Sequence, residues 1–396
     1  MVFNHGLMPQ MRIAHVAPPG VHPYSGLLTV LVHLASALAA RNHRVEVFHF
    51  GSWSPEAGPL GRLLDAAGVE RVALPAEAAR FRSGRWVAKL VEANQVQLVH
   101  LHGVFNPYNN WIARQLPVPL VISPHGGYAP ESLAYHAIRK KVFGLLFELP
   151  MLRRARLVCA LNAAEAQDLR AFGLKGPVAV IPNGVAPVSS TLDRHAFRDE
   201  LGVTADGCLA VYVGRMDVRA KRLDHLVRGV AAAPGWTLAL VGGDFRAGSA
   251  QLRELSRSLG VTDRVLLVQP RRGQALLEAL SAADLFVLLS RSEGMPMALL
   301  EAAACGVPGL VSSEVERAVG PVSRGAGWLV EPGRVAEALQ ALALQDSGEW
   351  NRRRRAAVAW ADEYRWPAIA EQMEQVYGLA LDPAGSAALS GVVSLC

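Results

Sequence analysis

Four cysteines in 396 residues, none in a CxxC pair, leave little material for a disulfide or zinc framework. Cys159, Cys208 and Cys305 lie in apolar or alanine-rich stretches and Cys396 ends the chain, so buried reduced thiols and a reducing, cytoplasmic setting are expected. Residues 1–10 lack the basic segment and apolar core of a secretory signal and read as an extension before Met11. No apolar run is long enough to span a bilayer, the longest near the start, 27–40, being interrupted by Thr29, His33 and Ser36. Neither the GxGxxG turn of dehydrogenases nor the GxxxxGK[ST] loop of P-loop nucleotidases occurs, which disfavours both classes. Charged residues are also few, at 19% against 51% apolar, a balance that excludes extended disorder.

What is present is a chain too long for one core, so two packed domains of about 150–200 residues each are expected. A formal charge of +6 favours anionic partners such as nucleotide phosphates or a lipid surface, although surplus arginine is equally compatible with a solvated surface. Short apolar runs at 12–17, 45–50, 98–101, 120–123, 157–160 and 178–181, with helical segments between them such as 27–41, read as repeated βα units and a parallel sheet. After a polar, serine-containing segment to about residue 206, with the composition of an interdomain connection, the pattern restarts at 208–213, 237–241, 264–268, 284–289 and 309–312. The expected architecture is α/β, with two doubly wound, Rossmann-like domains. The first spans 1–190, with a C-terminal helix at about 362–380 packing back on it, the second spans 205–361, and 381–396 is a loose tail. Ligands of such sheets bind beyond the carboxyl ends of the strands, so the chemistry is sought in the following loops and in a cleft between the domains.

The stretch 290–308, SRSEGMPMALLEAAACGVP, follows a strand and has a clear helix grammar: Pro296 suits the first turn, Gly306 the C-terminal cap, and Pro308 lies just beyond. Glu293 falls in the loop before this helix and Glu301 more than a turn inside it, on the order of 10 Å apart at 1.5 Å rise per residue. Between them lies a helix N-terminus, whose unpaired N–H groups and dipole suit a diphosphate. Considered alone, each glutamate reads more readily as a solvated helix-end residue.

Glu293 and Glu301 resemble the E-x7-E signature of retaining GT-B glycosyltransferases, glycosyltransferase family 4 in particular, and the resemblance covers nearly the whole chain. It implies a GT-B fold of two Rossmann-like domains facing each other across a cleft, with Glu293 on donor-sugar hydroxyls and Glu301 on the ribose. Gly294, Met295, Pro296 and Met297 follow around the sugar, where Pro296 replaces a common glycine and removes its N–H. Gly214, Arg215 and Lys221 are similar to the family's element that grips the pyrophosphate, where two cations stabilise the departing diphosphate without a metal. His125, in Ser-Pro-His-Gly-Gly, resembles the histidine that meets the donor sugar near the reacting carbon, and His102 is a second, weaker match. Gly26 enters the first helix where relatives carry Gly-Gly, Ser25 standing for the first glycine. Asn183 matches a motif at the domain connection, and a plain turn explains it equally well. Gly242, in Val-Gly-Gly-Asp, lies near the nucleotide by this alignment, as does the backbone around Arg264 and Val265, which would meet the base.

The implied reaction is transfer of a sugar from a nucleotide-sugar donor to an acceptor hydroxyl with retention of configuration, a hexosyltransferase-type activity through an oxocarbenium-like transition state. No Asp-x-Asp occurs, so no metal is expected; the nucleotide-sugar is a co-substrate and no cofactor is implied. Acceptors consistent with the family are a glycan, a lipid-linked glycan of bacterial cell-surface polysaccharide synthesis, or a small metabolite, selected by loops at 18–26 and 104–111. No nucleic-acid partner is implied. A sugar-nucleotide epimerase or hydrolase, or a binding protein without turnover, remain rival readings. Residues 136–156 mix Arg139, Lys140, Lys141, Arg153, Arg154 and Arg156 with Phe143, Leu145, Leu146 and Phe147. This composition suits peripheral contact with anionic lipid on the inner face of the plasma membrane, or equally an apolar face turned to the core with charges in water. Residues 352–355, four arginines, read as a solvated helix face.

Overall fold

The computed structural model describes residues 9–19, 26–50, 59–75, 78, 80–134, 136–188, 192–204, 206–382 and 392–394. Two compact units divide the chain, one formed by Met1–Gly184 with Trp366–Cys396 and the other by Val185–Arg365.

The first unit is built on an eight-stranded, wholly parallel sheet. Its strands are β1 (Arg12–Val16), β2 (Arg44–Phe50), β3 (Glu70–Leu74), β4 (Leu98–His102), β5 (Leu120–Ser123), β6 (Leu157–Ala160), β7 (Val178–Val180) and β14 (Val392–Ser394), in the spatial order β14-β7-β6-β5-β4-β1-β2-β3. The central strands are buried on both faces, as their mainly apolar sequences require, with His15, His100 and His102 buried among them. Helix Gly26–Ala40 is apolar almost all round because it is covered by the sheet on one side and the returning helix Trp366–Leu381 on the other. The returning helix is pinned by Glu374, whose carboxylate accepts from Arg41 Nε at 2.7 Å and lies 3.1 Å from His43 Nε2. Trp366 stacks on His33, and a Cβ at Gly184 would fall 2.4 Å from the Trp366 ring. Glycine at 184 therefore has a packing reason.

The second unit carries a six-stranded parallel sheet of β8 (Cys208–Val213), β9 (Trp236–Val241), β10 (Val265–Val268), β11 (Leu285–Leu288), β12 (Gly309–Val311) and β13 (Gly327–Leu329). Its order is β10-β9-β8-β11-β12-β13. The direction of winding reverses between β8 and β11 here, and between β1 and β4 in the first sheet, and such a switch point opens a crevice at the carboxyl ends of the strands.

Several expectations need correction. The supposed connection before residue 206 belongs to the second unit: in its helix Ala196–Leu201, Phe197 is buried and Arg198 bonds Ala282 O at 2.9 Å and Asp284 Oδ2 at 2.6 Å. The tail is not wholly loose, because β14 pairs in parallel with β7. Pro296 is the N-cap residue rather than the first helical one. The arginines at 352–355 are not simply solvated, since Arg353 donates to Gly327 O at 2.7 Å and lies over Trp328, while Arg354 reaches Asp284 at 3.4 Å. Ser25 and residues 20–25 of the first loop lie outside the described residues.

Candidate active site

In the second unit, the loops after β8, β9 and β11 converge at the switch point. Gly214 N–H donates to Val241 O at 3.0 Å and Gly242 N–H to Val268 O at 3.0 Å, so the two glycine loops run flush. A Cβ on Gly242 would lie 1.8 Å from Gly214 O, a distance no side chain tolerates. Tyr212 Oη donates to Arg215 O at 2.8 Å and fixes the turn that carries Arg215 outward. Arg215 is exposed, its guanidinium lies over the Phe245 ring at 4.6 Å, and it has no carboxylate partner among the described residues.

Lys221 closes the short helix Val218–Lys221, capped by Asp217, whose side chain accepts from Ala220 N–H. Its Nζ meets Glu293 Oε1 at 2.5 Å, and Ser290 Oγ donates to the same oxygen at 2.6 Å. The loop after β11 is braced against this helix by Arg291, through N–H to Ala220 O at 2.9 Å and Nε to Arg219 O at 3.1 Å. Arg222, in the left-handed region at φ 50°, donates to Leu289 O and pairs with Glu314 at 2.6 Å. Gly294 follows, Met295 turns into the core, and the helix Met297–Ala304 starts with no side-chain cap. Its first N–H groups are thus presented beside the Lys221–Glu293 pair.

Glu301 sits in the second turn of that helix, and its carboxylate makes no hydrogen bond or ion pair with another described residue. Burial pushes its carboxyl up to about 7. An ionised carboxylate left in this state costs free energy unless a ligand donates to it. Val265 is misplaced by the sequence reading: it is buried at the amino end of β10, and the strand's carboxyl end, Val268, is what meets Gly242. The cavity it helps line, about 640 Å³, runs beside β10 past Leu201, Arg253 and Arg271 and includes none of the other predicted residues.

In the first unit, Gly26 is the exposed first residue of its helix. Asn183 is buried at the end of the unit. His125 follows β5 in the left-handed region, φ 55°, and Gly126 continues at φ 79°. Glu165 holds this strained turn, its Oε1 accepting from Gly126 N–H at 2.6 Å and its Oε2 from Leu161 N–H at 2.7 Å. Burial raises Glu165 to about 7 and drives His125 down to about 4, so the imidazole is neutral. His102, proposed from sequence as a ligand contact, is fully buried and instead lies 3.0 Å through Nδ1 from His125 Nε2. Sequence reasoning missed Glu165, Arg222, Ser290, His15 and His100. Only the last two left a signal, because β1 and β4 pair His15 with His100 and alternation puts His102 on the same face.

Residues 24–188 match the family model Glycosyltransferase Family 4, and 207–345 match Glycosyl transferases group 1. A D-inositol 3-phosphate glycosyltransferase of Actinosynnema mirum is 30% identical over 93% of this chain and 96% of its own. The chain belongs to glycosyltransferase family 4. The enzyme is also 28% identical, over 72% of its length and 74% of the relative's, to a GDP-mannose:cellobiosyl-diphosphopolyprenol alpha-mannosyltransferase of Xanthomonas campestris. Anabaena HepE, solved with UDP and glucose, superposes with a TM-score of 0.73 at 22% identity over 93% of this chain and all of that one. The fold of the glycosyltransferase is GT-B, with two parallel-sheet α/β units.

Proposed function

We propose that this glycosyltransferase takes a nucleotide-sugar as donor and transfers its sugar, with retention, to a lipid-linked glycan acceptor. The observation that carries the donor reading is the constellation at the switch point of the second sheet. Arg215 and the carboxylate of Glu301, each without a charged partner among the described residues, the Lys221–Glu293 pair and an uncapped helix start occupy the loops and first helical turns that follow β8 and β11. Arg215, Lys221 and the N–H groups at Met297 neutralise the diphosphate, whose charge grows as the glycosidic bond breaks. Glu301 accepts from the ribose hydroxyls, and Glu293, once Lys221 turns to phosphate, is free to accept from the sugar. His125 is assigned to the sugar in transfer. The cations supply the charge stabilisation, so activity persists in EDTA.

The lipid-linked acceptor rests on the first unit. Ile138, Val142, Leu145 and Leu146, spaced i, i+4, i+7, i+8, are 82%, 54%, 60% and 59% exposed, so the apolar face of this segment points to solvent rather than to the core. Arg139 and Lys141 flank it, which suits docking on an anionic bilayer. A groove of about 360 Å³ lined by Tyr128, Leu133, Leu145, Leu149 and Phe172 adjoins the strip. No described helix is long and apolar enough to cross a membrane.

Thermal-shift titration with UDP-, GDP-, ADP- and dTDP-sugars tests the donor reading. One donor class raises the melting temperature, and no shift with any of them overturns it. Transfer assays with that donor then compare polyprenyl-diphosphate glycans with inositol phosphates, and exclusive use of the latter overturns the acceptor.

A further inference from the structure

Two histidines of adjoining strands, His15 of β1 and His102 of β4, form a chain that ends at His125 in the turn after β5. His15 Nδ1 lies 2.9 Å from His102 Nε2, and His102 Nδ1 lies 3.0 Å from His125 Nε2. His15, His100 and His102 are fully buried. His100 stands beside the chain, held at both nitrogens by Tyr377 Oη at 2.7 Å and Ser123 Oγ at 2.8 Å, and stacks on His102 with ring centroids 4.1 Å apart. At the inner end, His15 Nε2 is buried without a partner among the described residues.

Burial keeps these rings neutral, holding His15 near 3 and His125 near 4, with His100 and His102 lowered as well. Each ring of the chain therefore carries one N–H, and only two arrangements satisfy both links. In the first, His15 Nδ1–H donates to His102 Nε2 and His102 Nδ1–H donates to His125 Nε2, leaving a bare lone pair at His15 Nε2. In the second every proton is reversed, and His15 Nε2 becomes a buried N–H with no acceptor. An orphaned buried N–H is the rarer and costlier defect. The first arrangement prevails.

We propose that His102 and His15 are positioning residues that lock the proton of His125 onto Nδ1, so that its free nitrogen is an N–H donor to an oxygen and cannot act as a base. The step rests on the reading that His125 meets the sugar in transfer, and it deepens that reading by assigning the ring's polarity. A neutral donor there suits a sugar hydroxyl oxygen as acceptor, and it rules out proton abstraction by His125 from the acceptor. Charge on the departing diphosphate must then draw the acceptor proton. The nitrogens of His15, His100 and His102 also lie within 4.8 Å of one another, close enough for a cation to compete for them.

Selective 15N-histidine labelling and two-bond 1H–15N spectra near neutral pH read the tautomer directly on the unsubstituted enzyme, without any activity. The expected result is a neutral His125 protonated at Nδ1, with His102 and His15 protonated at the same position. A proton on Nε2 of His125, an imidazolium, or stoichiometric zinc on the cluster by elemental analysis overturns the proposal. In His102→Leu the link is gone, His125 moves toward the Nε2–H form, and kcat falls about tenfold or more with little change in donor KM. His102→Asn, whose amide can still donate to His125 Nε2, restores the Nδ1–H form and part of kcat. Equal loss in both variants with an unchanged tautomer overturns the positioning role. The spectra depend on no donor or acceptor, so their failure is separable from failure of the donor reading.

Discussion

Replacing Glu301 by glutamine separates what this carboxylate does for the fold from what it does for the ligand. Its folded value of about 7 lies above the 4.5 of an unperturbed carboxyl, so the folded state binds the proton more tightly. Stability therefore falls as pH rises from 4.5 toward 7 and is flat above. At about 1.36 kcal/mol for each tenfold in proton affinity, the ionised form costs about 3 kcal/mol, reduced to about 1–2 kcal/mol because the residue is partly exposed. Glu301→Gln removes that cost. In a unit of this size about 1–2 kcal/mol corresponds to roughly 5 °C. Differential scanning fluorimetry without ligand should show the variant melting higher than the parent at pH 8 and level with it at pH 4.5. Donor should stabilise only the parent. Because ribose hydroxyls favour the ionised form, the parent's donor affinity should drop about tenfold between pH 8 and pH 6. A variant that melts lower at pH 8, or keeps its donor-induced shift, refutes the reasoning.

Three further outcomes are expected. Arg215→Ala, which removes a cation without a carboxylate partner, should leave the melting temperature unchanged while lowering kcat by about 10²–10³ in a transfer assay. Gly242→Ala places a methyl 1.8 Å from Gly214 O, so it should destabilise by more than about 3 kcal/mol in urea titration. Ile138→Glu with Leu145→Glu alters only exposed positions and should abolish co-sedimentation with phosphatidylglycerol vesicles, leaving the melting curve intact.

The parallel sheets were legible because strands buried on both faces must be short apolar runs, as in β4, β5, β8 and β9. Three strands escaped. β3 opens on Glu70 and Arg71, half-exposed at a sheet edge, while β13 and β14 are three residues each and exist only because a neighbouring strand is there to pair. The segment around Phe197 looked like a linker because its polar residues are local, whereas two partners of Arg198, Ala282 and Asp284, lie more than 80 residues away. The site shows the same division. Glu293 and Gly214 occupy loops, and Lys221 and Glu301 the short helices that follow, whose place is set by the strands before them, so spacing sufficed. Glu165 and Arg222 act across long sequence separations, and His102 looks like a ligand contact until β1 and the returning helix are seen to bury it. Val265 failed for a simpler reason, the wrong end of a correctly identified strand.

Calorimetric titration of the metal-free enzyme with UDP, GDP, ADP and dTDP tests the diphosphate site most directly. The account predicts that one of the four binds, with affinity sharply reduced in Arg215→Ala. Binding of none, or undiminished binding to that variant, would contradict it.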